Sequence, residues 1–185
     1  MAHEEHLDSA ELFRRHATFV AKFLVRMGVP RADLDDLMQE VFLIAHRAGG
    51  YEPGPAKPTT YLASIACRLV RTDRRKRRVR SFVESDEEQV GRARTGGDPE
   101  RSALETERLG RLQVALDSLD SDKRAVFVLA EIHGETVVSI AAGLGIPVDT
   151  AYSRLRAARR LFHEAVVARE PLTPPPGLVS MPVAR

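Results

Sequence analysis

Thr136–Leu161, TVVSIAAGLGIPVDTAYSRLRAARRL, reads as two short helices meeting at a tight turn. Ile140 and Ala141 lie on the first helix, Gly145 supplies a turn position where positive φ is tolerated, and Pro147 opens the second helix. Ile146, Val148 and Leu155 can pack the second helix on the first, which leaves Asp149, Tyr152, Ser153, Arg156, Arg159 and Arg160 facing outward. This is the pattern of a helix-turn-helix. In such motifs the second helix enters the major groove of DNA while flanking cations hold phosphates.

About seventy residues upstream lies a second DNA-directed element, Tyr61–Arg78, YLASIACRLVRTDRRKRR. Leu62, Ile65, Ala66, Leu69 and Val70 recur at helical spacing and make a buried side, whereas Arg68, Arg71, Arg75 and Arg78 make a separate basic side. Thr59 or Thr60 is the expected cap, after a loop, Tyr51–Pro58, that contains Pro53, Gly54, Pro55 and Pro58. Cys67 falls near the apolar side and reads as a buried small hydrophobe rather than a reactive thiol.

Ahead of these, Asp8 and Glu11 suit a capping box, and Leu12, Phe13, Val20, Phe23, Leu24 and Met27 supply the stripe of a first helix ended by Gly28 and Pro30. Asp33 can cap a second helix carrying Leu34, Leu37, Val41 and Ile44, which Gly49-Gly50 stops. Ser81–Gly97 is polar and lacks apolar periodicity, so it reads as a flexible acidic linker and a domain boundary. Asp98-Pro99 then looks like a helix start, followed by helices over Glu100–Leu116, Asp122–His133, Val137–Leu144 and Val148–Val167. No alternating strand pattern occurs. The expected fold is all-α, with two small helical domains over 1–80 and 98–168, a linker over 81–97 and a Pro-rich, disordered tail over 169–185.

The composition, 43% hydrophobic and 29% charged over 185 residues, is that of a soluble globular protein. A net charge of +2 conceals segregation: Arg68, Arg71, Arg74, Arg75, Lys76, Arg77, Arg78 and Arg80 form a block, and Glu84, Asp86, Glu87 and Glu88 follow it. Clustered arginine is the electrostatic footprint of nucleic-acid contact. The single cysteine excludes an intrachain disulfide, the first residues lack the apolar core of a signal peptide, and no apolar run approaches the ~20 residues that cross a bilayer. A cytoplasmic protein with no membrane insertion is expected. His3-Glu4-Glu5-His6 is not the HExxH zinc motif, and no phosphate-binding loop, Rossmann glycine pattern or GxSxG is present. No metal, cofactor, small-molecule substrate or enzymatic activity is expected.

Three stretches together resemble a bacterial sigma factor of the sigma-70 family, in its short extracytoplasmic-function (ECF) subfamily. DLDDLMQEVFLIA (Asp33–Ala45) is similar to the family's region 2.2, Thr59–Arg78 to regions 2.3 and 2.4, and Ala115–Leu161 to region 4. The resemblance implies that the Asp33–Ala45 helix docks on the clamp helices of core RNA polymerase through Asp36, Gln39, Glu40 and Phe42. It implies that Tyr51, Lys57 and Tyr61 contact an unstacked base or the backbone at the −10 element, with Arg68, Arg71, Arg74 and Arg75 on phosphates. At the −35 element it places Tyr152, Ser153 and Arg156 toward the groove, and Arg154 and Arg159 nearer the backbone. Core RNA polymerase and promoter DNA are thus the implied partners. Small sigma factors of this type are often held inactive by an anti-sigma protein, which adds that class of partner. The sequence departs from the family at Tyr61, where Trp is usual, and at Asp149, where Gly is common. The alternative is an autonomous helix-turn-helix regulator, which accounts for Thr136–Leu161 but not for the DLMQEVF helix or the basic helix after the Pro-rich loop.

Overall fold

The computed structural model describes residues 6–83 and 109–168, and for 76–83 the backbone alone. The acidic stretch from 84 onward, the Asp98-Pro99 helix start and the Pro-rich tail lie outside the described residues. The described residues form helices and no strand; the one β-type pairing is an isolated bridge between Leu7 and Tyr51.

Helix α1 spans Ser9–Arg26, and the Asp8 carboxylate accepts from the Glu11 amide at 2.7 Å, as the capping pattern requires. The reciprocal half of the box is not made, because the Glu11 side chain pairs with Arg15 instead. Helix α2 spans Arg31–Arg47. It begins two residues before the expected cap Asp33, since Pro30, at φ −60° and ψ 149°, already holds the cap geometry, and Asp33 adds negative charge inside the first turn. Gly49 and Gly50 end it at φ 86° and 97°. A Cβ on Gly50 would run into the Leu7 carbonyl, so glycine here lets the chain before α1 bridge to Tyr51.

Helix α3 runs Pro58–Val83, three residues into the stretch read as linker. Its start also differs from expectation. Pro58 occupies the first turn, where its fixed φ and missing N–H cost nothing, so neither Thr59 nor Thr60 serves as cap. Both threonines are thereby released for contacts elsewhere. Leu62, Ala63, Ile65, Ala66, Cys67 and Val70 are buried, as the apolar periodicity indicates.

A helical stretch over 109–117, α4, leads to α5, Ser121–Phe127, capped by the Asp120 carboxylate on the Lys123 amide at 2.9 Å. The single helix expected over Asp122–His133 is interrupted: Val128–Ile132 widens into a π-helical turn. Val128 and Leu129 in this turn are both buried, continuing the buried run Arg124–Phe127 of α5. Helix α6, Val137–Leu144, is capped by Thr136 and ends at Gly145, φ 65°, with the Ile146 amide on the Ala141 carbonyl at 3.0 Å. Helix α7 spans Val148–Val167. It packs through Ala151, Leu155 and Ala158; Val148, expected in this contact, is exposed.

Helices α1–α3 pack on one another, as do α5–α7, and α3 also lies against α5 and α6. One cluster of buried side chains runs through both halves, from Leu12, Phe23 and Leu62 to Leu129, Ile140 and Leu155.

Candidate functional site

The outward face of α7 carries Asp149, Tyr152, Ser153, Arg156, Ala157 and Arg160 around a shallow depression. The turn at Gly145 and Pro147 separates α6 from α7, whose opposite side is buried through Ala151, Leu155 and Ala158. Tyr152 is 54% exposed and Arg156 is exposed beside it. The Ser153 hydroxyl donates to the Thr150 carbonyl at 2.9 Å. Arg154 and Arg159 point elsewhere: Arg154 pairs with Asp122 at 2.7 Å, and Arg159 grips Glu131 Oε1 through Nε at 2.9 Å and Nη2 at 2.6 Å.

The basic helix is organised differently. Arg68 and Arg75 are exposed, but Arg71 pairs with Asp122, the carboxylate that also takes Arg154. Arg74 donates from Nη2 to the Met27 carbonyl at 2.6 Å and from Nη1 to Ser121 Oγ at 2.8 Å. It therefore closes the end of α1 and ties α3 to α5. Beside it, the buried Arg124 pairs with Asp117 at 2.8 Å, and burial, opposed by Asp117, lowers its pKa.

Of the aromatic side chains before and at the start of α3, Tyr51 is buried at 2% exposure and its hydroxyl donates to the Ala56 carbonyl at 2.7 Å. It braces the Pro-rich loop and has no open ring face for a base in this conformation. Tyr61 is half-buried with its ring centroid 5.8 Å from that of Tyr51. Burial raises its phenol pKa, with Arg68 acting in the opposite direction. Lys57 extends toward the other half of the molecule, its Nζ 3.0 Å from Glu135 Oε2.

On α2, Asp36 and Gln39 are exposed and Glu40 is half-exposed, whereas Phe42 is 8% exposed. Phe42 meets Phe13 of α1 edge-to-face, centroids 5.0 Å apart. Phe13 is itself 50% exposed, and with Asp35, Met38, Gln39, Phe42 and Leu43 it lines an apolar groove along the α1–α2 seam. The sequence reading put Phe13 in the core stripe and did not single out Met38 or Leu43. Their signal was an apolar position on the same side of α2 as the carboxylates. Among the described residues no three His, Cys, Asp or Glu side chains converge as a metal set, and no helix is long and apolar enough to cross a membrane. Cys67 is buried, and burial pushes its thiol pKa up to about 12, far from reactive thiolate.

Residues 12–80 match the Sigma-70 region 2 family and residues 109–162 match Sigma-70 region 4. RNA polymerase sigma factor CarQ of Myxococcus xanthus is 35% identical over 150 residues, covering 80% of this chain and 82% of CarQ. RNA polymerase sigma factor CnrH of Cupriavidus metallidurans is 31% identical over 157 residues, 80% of this chain and 81% of CnrH. ECF RNA polymerase sigma factor SigE of Mycolicibacterium smegmatis is 34% identical over 156 residues, 83% of this chain but 60% of SigE, so the chain spans less than two thirds of that longer relative. Among solved structures, CnrH in complex with the cytosolic domain of CnrY shares the fold with a TM-score of 0.62 at 24% identity, over 88% of this chain and 89% of that one. RpoE from Bartonella quintana, in complex with the anti-sigma factor NepR, does so with 0.63 at 19%, over 85% and 96%. The paired matches, in this order and over these helices, make the chain a member of the sigma-70 family of RNA polymerase sigma factors, in its ECF group.

Proposed function

We propose that this chain binds core RNA polymerase and directs promoter recognition, DNA melting and transcription initiation. The observation that carries the reading is the pairing of a helix-turn-helix, whose face from Asp149 to Arg160 is open, with a basic helix that follows a region 2 docking helix on the same chain. An autonomous regulator needs no such second half.

In this reading Asp36, Gln39 and Glu40, with the apolar groove at Phe42, meet the polymerase. Exposed ion pairs are worth about 0–1 kcal/mol each. The groove supplies what the carboxylates cannot: apolar surface whose burial contributes roughly 25 cal/mol per Å². Arg68, Arg71, Arg74 and Arg75 hold phosphates near the −10 element, with Lys57 and Tyr61 near the opened strand. Tyr152, Ser153 and Arg156 read the −35 element, and Arg154 and Arg159 steady the backbone. An anti-sigma factor is a further partner, by analogy with the CnrY and NepR complexes. The chain works in the cytoplasm, where its polymerase is, and RNA synthesis is the polymerase's chemistry rather than its own.

Transcription in vitro tests this. Purified bacterial core polymerase, a genomic promoter library and the full chain should yield new transcripts sharing a two-part upstream motif. Absence of transcripts, together with tight binding of the chain alone to a single DNA site, would overturn the reading in favour of the autonomous regulator.

A further inference from the structure

Arg159 stands at the edge of the open face of α7. Tyr152 and Arg159 are seven residues apart, which at about 100° per residue puts them within about 20° of each other around the helix. The Arg159 side chain is 60% exposed, yet its guanidinium is held. Nε at 2.9 Å and Nη2 at 2.6 Å both donate to Glu131 Oε1. Those two nitrogens make one edge of the guanidinium plane. The other edge, Nη1 with the second Nη2 proton, makes no hydrogen bond among the described residues. That edge is one with which arginine grips a phosphate through two parallel N–H groups.

The carboxylate behind the arginine is set on a firm base. Val128 and Leu129, in the same π-helical turn, are fully buried. Phe127, just before the turn, stacks on Phe162 of α7 with centroids 4.6 Å apart. The turn that carries Glu131 is therefore fixed against the helix that carries Arg159. An exposed ion pair adds little to stability, so stabilisation accounts for little of this geometry. Orientation accounts for more. A loose arginine loses rotamer freedom when it meets a phosphate, and a carboxylate that already holds it takes that loss in advance. Against this, a negative charge beside a polyanion weakens DNA binding. The two effects have opposite signs, which makes them separable.

We propose that Glu131 is a positioning residue for promoter DNA: it turns the Arg159 guanidinium so that the Nη1–Nη2 edge meets a phosphate at the border of the groove read by α7. The inference rests on the −35 role proposed above for that face. Arg159 makes the contact, and Glu131 acts only through it.

The test is a double-mutant comparison in the full-length chain, with Glu131→Ala, Arg159→Ala, the two together, and Glu131→Gln. Binding to a fluorescein-labelled, mixed-sequence duplex is followed by anisotropy at fixed low salt, because a phosphate contact carries no sequence information. Circular dichroism and the thermal midpoint check the fold. Arg159→Ala is expected to weaken binding by up to about fivefold and to lower the salt slope by about one. Glu131→Ala should weaken binding about threefold although it removes a negative charge, and should cause no loss once Arg159 is alanine. Glu131→Gln keeps an acceptor oxygen and should bind more tightly than Glu131→Ala. Unchanged or tighter binding by Glu131→Ala would mean that charge alone acts. A loss as large in the Arg159→Ala background would mean a structural role. Either result overturns the proposal, as does a glutamine variant no better than the alanine one. Failure of the unmodified chain to support transcription would remove the sigma-factor reading separately, while this comparison would still be scored on the helix-turn-helix.

Discussion

The two helix groups of this molecule are built on cores of different mixture. Helices α1–α3 close around large side chains, with Phe23, Leu12, Leu24, Met27, Leu62 and Ile65 all under 2% exposed. Helices α5–α7 combine large buried side chains, Val126, Leu129, Ile140 and Leu155, with four buried alanines, Ala125, Ala141, Ala151 and Ala158. Large interlocking side chains make a broad platform on which α3 can run its 26 residues. Small ones leave room for neighbouring helices to approach closely. Both DNA-directed helices divide their cations in the same way: Arg71 and Arg74 of α3 and Arg154 and Arg159 of α7 are paired, whereas Arg68 and Arg75 of α3 and Arg156 of α7 are exposed.

The contrast in packing can be broken from either side. Phe23→Ala should cost about 3–5 kcal/mol, because a fully buried ring leaves a cavity that its neighbours fill in part; urea denaturation would measure it, and a loss below 1 kcal/mol would show that this core is looser than described. The helix-turn-helix should resist the opposite change. Ala158→Leu is expected to cost about 1–3 kcal/mol by forcing α7 off its neighbours, read as a lower denaturation midpoint.

The exposed cations separate into readers and holders. In holoenzyme binding assays Arg156→Ala should relax preference at one −35 position by about 1–3 kcal/mol, while Arg75→Ala should weaken binding to all sequences and lower the salt slope by about one. Identical behaviour of the two variants would remove the distinction drawn between the faces.

The smallest effect concerns pH. His133 lies against the Phe19 ring at 4.7 Å and near Phe23. Burial lowers its pKa, Arg26 and Lys22 push the same way, and Glu135 opposes them. An imidazole of lowered pKa stays neutral in the fold after the unfolded chain has begun to take up its proton near 6.5. Stability is therefore intact above that value and falls as pH drops below it toward the depressed pKa. His16, lowered by burial and by Arg15, acts in the same sense. His133→Phe should narrow the difference in melting midpoint between about pH 7.5 and 5.5 without abolishing it; an unchanged difference would place the sensitivity at His16.

How much of this was legible beforehand depended on the range of the interaction. The apolar stripe of α3, the Asp8 cap and the turn at Gly145 are local, and periodicity with turn chemistry located them. The starts of α2 and α3 were displaced because prolines at 30 and 58 competed with better-known capping residues, and sequence pattern ranks such rivals poorly. Asp122, Glu135, Ser139 and Gly143 carried no signal at all. Their partners Arg71, Lys57, Thr60 and Thr59 lie between 51 and 83 positions away, and a lone carboxylate or glycine says nothing about so distant a contact. The family resemblance nominated the residues proposed to meet DNA, yet it could not say that Arg74 and Tyr51 are engaged by Met27, Ser121 and Ala56 when the halves are together.

The widened turn at Val128–Ile132 takes up one residue more than the α turn it replaces. Because the extra residue is absorbed within a single turn, deleting it would let α5 wind on regularly with the phase beyond the turn nearly unchanged. The consequence of such a deletion is therefore local. Glu131, which pairs with Arg159 at 2.6 Å, lies inside the widened turn, and His133, against the Phe19 ring, follows it directly. A chain one residue shorter here would keep its helices and lose the reach of those two side chains, so a difference in length need not be a difference in architecture.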